Sequence, residues 1–232
     1  TVQFHQSYSY EDFIQGYRPK DGTAGGFELK GGLFKDFCEK AQGNNTKHFL
    51  IIDEINRGNL SKIFGELMML IENDYRGKKN EIRLIYSDPK KANDTFYIPE
   101  NLYLIGTMNT ADRSLALVDY ALRRRFSFHS LKPEFGDNFE NFLTRKKVAK
   151  TIITKIQDNI TEINKKIKDD NTLRDGFFIG HSYFCDPPKD KNRHKDWYND
   201  IINHEITPLL KEYWVEKTDS LSDVQEYLKN LK

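Results

Sequence analysis

The sequence predicts an α/β domain built on a mostly parallel sheet, followed by an all-helical domain. Two apolar runs, residues 49–52 and 102–105, predict the sheet, because unbroken apolar stretches are typical of parallel strands buried on both faces. From residue 137 onward the apolar residues recur at helical spacing instead. The change of pattern near Pro133 divides the chain into an α/β part, 1–133, and a helical part, 134–232.

The composition excludes several classes of protein. With 36 Lys and Arg against 35 Asp and Glu, the 232-residue chain has a formal net charge of +1 and no overall field that would attract nucleic acid or a membrane. No apolar run approaches the roughly 20 residues needed to cross a bilayer. We therefore expect no membrane partner. The two cysteines form no CxxC pair, so we expect a reduced, cytoplasmic protein. A first residue of threonine leads us to expect a fragment of a longer protein.

The segments before the first long strand are short. Alternating apolar residues at 2–4 predict a strand, and Ser9 with Asp12 resembles a capping box that starts a helix at the next residue. Residues 27–32, bounded by glycines, predict a small hairpin. Residues 33–41 have the apolar spacing of a helix that leads back to the sheet.

The segments after the first long strand alternate between helix and strand. Apolar residues three and four apart over 60–71 predict an amphipathic helix packed on the sheet. Two β-rich runs joined by a polar, lysine-containing tip predict a hairpin over 81–98. Beyond the second long strand, 115–122 is predicted to be helical and 126–128 to form another strand.

The C-terminal part contains three predicted helices. Isoleucines at 152, 156, 160, 163 and 167 mark a long amphipathic helix with a lysine-rich outer side. A second apolar stripe runs from 197 to 214 and contains Pro208, which we expect to kink the helix. A last short helix is predicted over 221–231.

Polar side chains follow both long strands at the point where each ends. Asp53 and Glu54 come directly after the first strand, and Asn109 follows the second. Parallel sheets carry their chemistry at the carboxyl ends of the strands, so these side chains should share one edge. An Asp there can hold Mg²⁺, and a Glu beside it can orient a water molecule that attacks a phosphoryl group. A strand that simply ends in two solvated acids is the alternative.

Three consecutive arginines, Arg123, Arg124 and Arg125, end the helix predicted at 115–122. Unpaired arginines are costly to bury, so they should face water, acids or phosphates. They can form an exposed basic helix end that interacts favourably with the helix dipole. Alternatively, they can include an arginine finger that reaches a phosphate group.

Residues 53–57, 108–114 and 120–128 together resemble AAA+ nucleotide hydrolases and, more closely, the McrB family, the GTP-hydrolysing motor subunits of modified-cytosine restriction systems. Residues 2–10 and 179–184 are also similar to that family. The resemblance implies an AAA+ P-loop NTPase-type parallel sheet flanked by helices, truncated at its N-terminus, with a C-terminal all-helical lid domain. The MNTADRS stretch at 108–114 is the most specific part.

The resemblance also implies roles for the residues at the strand ends. Asp53 would be the Walker B acid that binds Mg²⁺, and Glu54 the base that orients the attacking water. Asn109 would be sensor 1, close to the γ-phosphate. One of the three arginines would be the finger that reaches the neighbouring subunit's nucleotide.

Further residues match parts of the family that serve regulation and nucleotide contact. Asp112 and Arg113 belong to the GTPase signature, which in this family communicates with the McrC partner. His181 and Ser182 occupy the lid segment where AAA+ proteins often place sensor 2, although no arginine stands there.

One expected motif does not occur in the sequence. There is no GxxxxGK[ST], the loop whose backbone amides hold the phosphates. The resemblance places that loop upstream of Val2, together with an N-terminal DNA-binding domain. The parent protein is therefore expected to hydrolyse GTP, and this piece alone is expected to be inactive.

The resemblance implies a homo-oligomeric ring, expected to be a hexamer, that works with an McrC-like nuclease and reaches DNA through the complex. Mg²⁺ and GTP are the implied cofactors. Two alternatives remain at this point: an ATP-using remodeller of the MoxR or dynein-related kind, and a non-catalytic AAA+ interaction module. Nucleotide competition would separate the first two possibilities, and a phosphate loop in the parent gene would argue against the third.

Overall fold

The computed structural model of the chain describes residues 1–20, 22, 25–88, 94–111, 123–173 and 175–214. The chain divides into two compact units, Thr1–His129 and Ser130–Lys232. The first unit is an α/β domain and the second is helical in its described residues, as the sequence predicts. Each unit has its own hydrophobic core.

The described residues of the first unit contain two sheets. Its strands are β1 (Val2–Gln3), β2 (Gln15–Pro19), β3 (Phe27–Gly31), β4 (His48–Asp53) and β5 (Leu102–Gly106). A three-stranded parallel sheet has the order β1-β4-β5, in which β4 is central. Both long strands predicted from the apolar runs are therefore present, and they are direct neighbours. The antiparallel pair β2–β3 forms a separate sheet.

The parallel sheet is covered on one face only in the described part of the chain. Its helices are α1 (Tyr10–Phe13), α2 (Leu33–Gln42) and α3 (Leu60–Phe64). Leu50 and Ile52 point into the core that these helices complete, whereas Phe49 and Ile51 are 54% and 38% exposed. Burial of the strands on both faces was predicted and is wrong for these residues. Both crossovers lead in the same direction across the sheet, and right-handed crossovers of one direction lie on one face.

The segment before β4 begins with the predicted helix cap. The Ser9 side chain accepts a hydrogen bond from the Asp12 amide, and the Asp12 carboxylate accepts one from the Ser9 amide, so the capping box is complete. The predicted hairpin within 27–32 is wrong in its pairing. Phe27–Gly31 is a single strand whose partner is Gln15–Pro19, from the other side of the intervening loop.

The helix predicted over 60–71 changes character at Gly65. α3 ends at Phe64, and a 3₁₀ segment, Gly65–Ile71, follows it. Gly65 has a φ of 51°, in the region that favours glycine, and a Cβ there would lie 3.1 Å from the Tyr10 ring. A glycine in this conformation interrupts the α-helical hydrogen bonds, although the apolar side chains on both sides of it stay buried.

The remaining predictions for the first unit differ in outcome. The long hairpin over 81–98 is reduced, in the described residues, to a single antiparallel bridge between Ile82 and Phe96. Residues 126–128 show no strand pairing in the described part of the chain, so that prediction is wrong there. The predicted helix at 115–122 lies outside the described residues.

The second unit is built around one long helix. Its α-helices are α4 (Asp137–Arg145), α5 (Lys150–Asp169), α6 (His194–Asp200) and α7 (Thr207–Tyr213). The predicted isoleucine stripe lies on α5, where Ile156, Ile160, Ile163 and Ile167 are buried. A π-helical segment, Ile201–Ile206, joins α6 to α7.

Pro208 lies in the first turn of α7, directly after the π-helical segment. A proline cannot donate the helical hydrogen bond and clashes with the carbonyl four residues earlier. The wider π-helical turn before Pro208 therefore avoids this clash. The sequence predicts the distortion as a kink. The last predicted helix, 221–231, lies outside the described residues.

Two global features complete the description. Cys38 is buried and Cys185 is partly buried; both are free thiols, and burial raises the pKa of each. Among the described residues, every helix is either too short or too polar to cross a lipid bilayer.

Arg76 joins the helical layer to the sheet. It is only 8% exposed, and its Nε and Nη2 donate to the carbonyl of Ile71 at 3.1 and 2.9 Å. Its Nη1 donates to the carbonyl of Leu102, the first residue of β5. One guanidinium group thus satisfies carbonyls from two elements, and burial lowers its pKa without discharging it.

Replacing this group should lower stability measurably. We expect Arg76→Leu to reduce the free energy of unfolding by about 2–4 kcal/mol, because two carbonyls lose charged donors and stay buried. Urea unfolding followed by fluorescence measures the change. Lys79→Leu, at an exposed position of the same segment, is the matched control and should change the unfolding midpoint little. Equal midpoints for the two variants would contradict this role of Arg76.

Candidate functional site

The carboxyl ends of β4 and β5 form the edge where the sequence predicts the site. Backbone hydrogen bonds hold the end of β4 from both sides. On one side the Phe4 amide donates to the Asp53 carbonyl at 2.9 Å. On the other side the Thr107 amide donates to Ile52, and the Ile55 amide donates to Thr107, each at 2.9 Å. Backbone hydrogen bonds alone therefore fix the end of the central strand.

Asp53 is the last residue of β4, and its side chain is partly buried. The Thr107 hydroxyl donates a hydrogen bond to Asp53 Oδ1. Sequence reasoning did not single out Thr107. The available signal was its position, directly after β5, whose last residue, Gly106, pairs with Ile52 immediately before Asp53.

Glu54 begins the turn that leaves the sheet. Its φ of 53° and ψ of 44° are left-handed, a conformation that costs a non-glycine residue about 1–3 kcal/mol and is concentrated at functional sites. Its side chain is 22% exposed, and Oε2 lies 3.3 Å from Arg57 Nε. The left-handed turn thus directs the chain out of the strand immediately after Asp53 and keeps the Glu54 side chain partly exposed at the same edge.

A side-chain contact connects the two segments that follow the strands. Asn56 Nδ2 donates to the backbone carbonyl of Asn109 at 3.4 Å. The Oδ1 of Asn109 accepts the amide of Ala111 at 3.0 Å, which closes a local turn. Asn109 therefore lies at the same edge as Asp53 and Glu54, and among the described residues no hydrogen bond engages its side-chain nitrogen.

The oxygens at this edge suit Mg²⁺. Within the described residues, Glu54 Oε2 and Asn56 Oδ1 are buried and accept no hydrogen bond, although Oε2 is within ion-pair distance of Arg57 Nε. In the same residues no group of three or more His, Cys, Asp or Glu side chains could enclose a metal ion. Mg²⁺ keeps several waters and commonly takes one or two carboxylates together with substrate phosphates. The edge fits that kind of site and does not form a closed cage.

The three arginines do not share one environment. Arg123 and Arg124 are exposed, whereas the Arg125 side chain is only 11% exposed and its Nε lies 3.1 Å from Glu72 Oε1. Glu72 is distant from the cluster in sequence, so no local pattern indicates this ion pair. The structure supplies that partner for Arg125 and leaves Arg123 and Arg124 directed toward solvent.

The other predicted site residues are either outside the described residues or in the second unit. Asp112 and Arg113 fall outside the described residues. His181 and Ser182 belong to the second unit, in a 3₁₀ turn, His181–Phe184. The Nδ1 of His181 accepts the amide of Glu134 at 3.0 Å, and Ser182 is exposed. These contacts give His181 a structural partner within its own unit.

Comparisons with known proteins assign both parts of the chain. Residues 1–126 match the AAA domain of the dynein-related subfamily, and residues 155–222 match the McrB alpha-helical lid domain. The chain is 51% identical, over 93% of its length, to the type IV methyl-directed restriction enzyme EcoKMcrB subunit of Escherichia coli K12, and it spans 47% of that protein. It is 26% identical, over 91% of its length, to the type II restriction enzyme BsuMI component YdiS of Bacillus subtilis 168, and spans 68% of it.

Proposed function

Because the chain belongs to the dynein-related subfamily of AAA domains and carries an McrB-type helical lid, we propose that it is part of the GTP-hydrolysing motor subunit of a modification-dependent restriction complex. The observation that carries the proposal is the edge where Asp53, Glu54 and Asn109 follow neighbouring parallel strands. Both relatives are named as components of restriction enzymes, which supports the restriction role.

We propose that the Asp53 carboxylate binds Mg²⁺, either directly or through a water molecule. Bound there, Mg²⁺ would neutralise charge on the phosphates. Glu54 is the proposed group that orients the attacking water and accepts its proton. Its neighbour Arg57, with Nε at 3.3 Å, limits how far the carboxylate can swing.

Asn109 and an arginine supply the remaining contacts to the phosphates. The amide nitrogen of Asn109 is proposed to donate to the γ-phosphate, since its oxygen already accepts the Ala111 amide. Arg123 or Arg124 is proposed as the finger, because both are exposed while Arg125 is held by Glu72. A finger that acts on a neighbour's nucleotide requires an oligomer, and we propose a homo-oligomeric ring, a hexamer.

The remaining assignments come from the resemblance to the McrB family. Asp112 and Arg113 are proposed to transmit the state of an McrC-like nuclease partner to the nucleotide site. His181 and Ser182 are proposed to contact the nucleotide from the lid. DNA would be reached through the complex and through a DNA-binding domain outside this chain, in the cytoplasm.

A second candidate function is an ATP-hydrolysing remodeller. The match of residues 1–126 to the dynein-related subfamily favours it. The deciding experiment measures hydrolysis of GTP and ATP by the full-length parent protein, each with the other nucleotide as competitor. GTP turnover that excess ATP does not inhibit supports the motor subunit of a restriction complex. ATP turnover alone supports the remodeller, and hydrolysis of neither nucleotide supports a non-catalytic module.

The isolated chain offers a further test. Residues 1–232 contain no GxxxxGK[ST], so no backbone loop of that kind can hold the phosphates. We expect them to bind GTP weakly or not at all, even with Mg²⁺, in calorimetry at millimolar nucleotide. A micromolar dissociation constant would show that the nucleotide site is built from other residues.

A further inference from the structure

Thr107 makes three hydrogen bonds at the edge of the sheet, through its amide, its carbonyl and its hydroxyl. Its amide donates to Ile52, its carbonyl accepts from Ile55, and its hydroxyl donates to Asp53 Oδ1. The two backbone contacts join β5 to β4 and to the turn after it. The hydroxyl adds a contact of another kind, because it is made to a side chain to which the proposed function assigns chemistry.

We propose that Thr107 is the positioning residue for Asp53: its hydroxyl fixes the rotation of the carboxylate so that Oδ2 faces the metal and phosphates. This inference rests on the proposed function, since it assigns Asp53 to the Mg²⁺ site. It extends that function by identifying the group that orients the metal-binding carboxylate through its other oxygen, Oδ1.

The chemistry of the contact explains why a hydroxyl is suitable. An Asp side chain has two rotatable torsions. A partly buried Asp carboxylate at the end of a strand can therefore rotate away from a metal ion. A neutral donor on Oδ1 fixes that rotation without adding a positive charge that would compete with Mg²⁺. Partners that orient metal ligands in this way typically contribute 10–100-fold to metal affinity.

A merely structural role makes a different prediction. The backbone hydrogen bonds already join Ile52, Ile55 and Thr107 regardless of the side chain at 107. Thr107 is itself exposed, so replacing its hydroxyl with a methyl group leaves no cavity. Removing the hydroxyl should therefore change metal binding while the fold and the binding of metal-free nucleotide persist.

The test compares Thr107→Val, which keeps the shape, with Thr107→Ser, which keeps the hydroxyl. In the full-length parent protein, Mn²⁺ serves as the probe, and its binding in the presence of a non-hydrolysable GTP analogue is followed by electron paramagnetic resonance. We expect Thr107→Val to weaken Mn²⁺ binding about 10–100-fold and Thr107→Ser to stay within a few-fold of wild type. The Mg²⁺ concentration for half-maximal turnover should rise in parallel for Thr107→Val.

Three controls separate the possible outcomes. Nucleotide affinity in EDTA and the melting temperature should be the same for wild type and both variants. Wild-type Mn²⁺ affinity in Thr107→Val would overturn the inference, and so would unfolding of both Thr107→Val and Thr107→Ala. If Asp53→Ala also leaves Mn²⁺ binding unchanged, the assignment of Asp53 and with it the proposed site is wrong, whatever Thr107 does.

Discussion

Glu54→Gln in the full-length parent protein should reduce GTP turnover by about 10²–10⁴-fold while leaving GTP affinity close to wild type. Glutamine keeps the size and hydrogen-bonding capacity of glutamate but removes the negative charge that accepts a proton from water. The loss should appear in kcat with little change in the dissociation constant, because the contacts to the nucleotide in the ground state persist. Steady-state hydrolysis and equilibrium binding measured on one preparation provide both values.

The control for this variant is Glu100→Gln, which makes the same chemical change at an exposed position just before β5. It should hydrolyse GTP at the wild-type rate. The backbone at residue 54 is left-handed whether the residue is Glu or Gln. Any cost of that conformation is therefore the same in wild type and Glu54→Gln, and the difference in turnover reports the lost charge. Turnover close to wild type in Glu54→Gln would remove this residue from the mechanism.

The second large effect concerns the arginines. We expect Arg124→Ala, or failing that Arg123→Ala, to lower GTP turnover by about 10³–10⁵-fold without unfolding the protein, as loss of a finger acting in trans does. Arg125→Ala should behave differently. It removes the ion pair with Glu72 and should lower the melting temperature, because the partly buried carboxylate loses its partner. Melting curves and turnover for the three single variants separate these roles.

Mixing two inactive proteins shows whether the arginine acts on a neighbour. A finger variant still offers an intact nucleotide pocket, and a Glu54→Gln variant still offers an intact finger. Some interfaces in a mixed ring then combine the intact parts, and part of the activity should return. If every mixture stays inactive while size-exclusion chromatography shows assembled rings, the arginines act within their own subunit.

Patterns that arise locally were predictable from the sequence. The apolar runs that end in Asp53 and near Asn109 located two neighbouring parallel strands and the edge they share. The capping box at Ser9 and the isoleucine stripe on α5 were also correct, because each depends on residues within a few turns of each other.

Features that depend on tertiary contacts were not predictable from periodicity. The break at Gly65 follows from a tight approach to Tyr10, and the apolar spacing continues through it unchanged. The partner of Phe27–Gly31 is a strand on the far side of a loop. The contacts of Thr107 with Asp53 and of Arg125 with Glu72 join residues 54 and 53 positions apart, so no local pattern reveals them.

The face of the parallel sheet that the described residues leave uncovered has a consequence for temperature. Phe49 and Tyr103 stack at 5.2 Å on that face, and Ile51 and Ile105 extend the patch, with exposures of 38–54% across the four residues. Burial of such a surface is driven almost entirely by entropy near 25 °C and lowers the heat capacity. Any association through this face, including self-association of the isolated chain, should therefore strengthen on warming and weaken on cooling. Solutions of the 232-residue chain should accordingly stay dispersed to higher concentration in the cold than at room temperature.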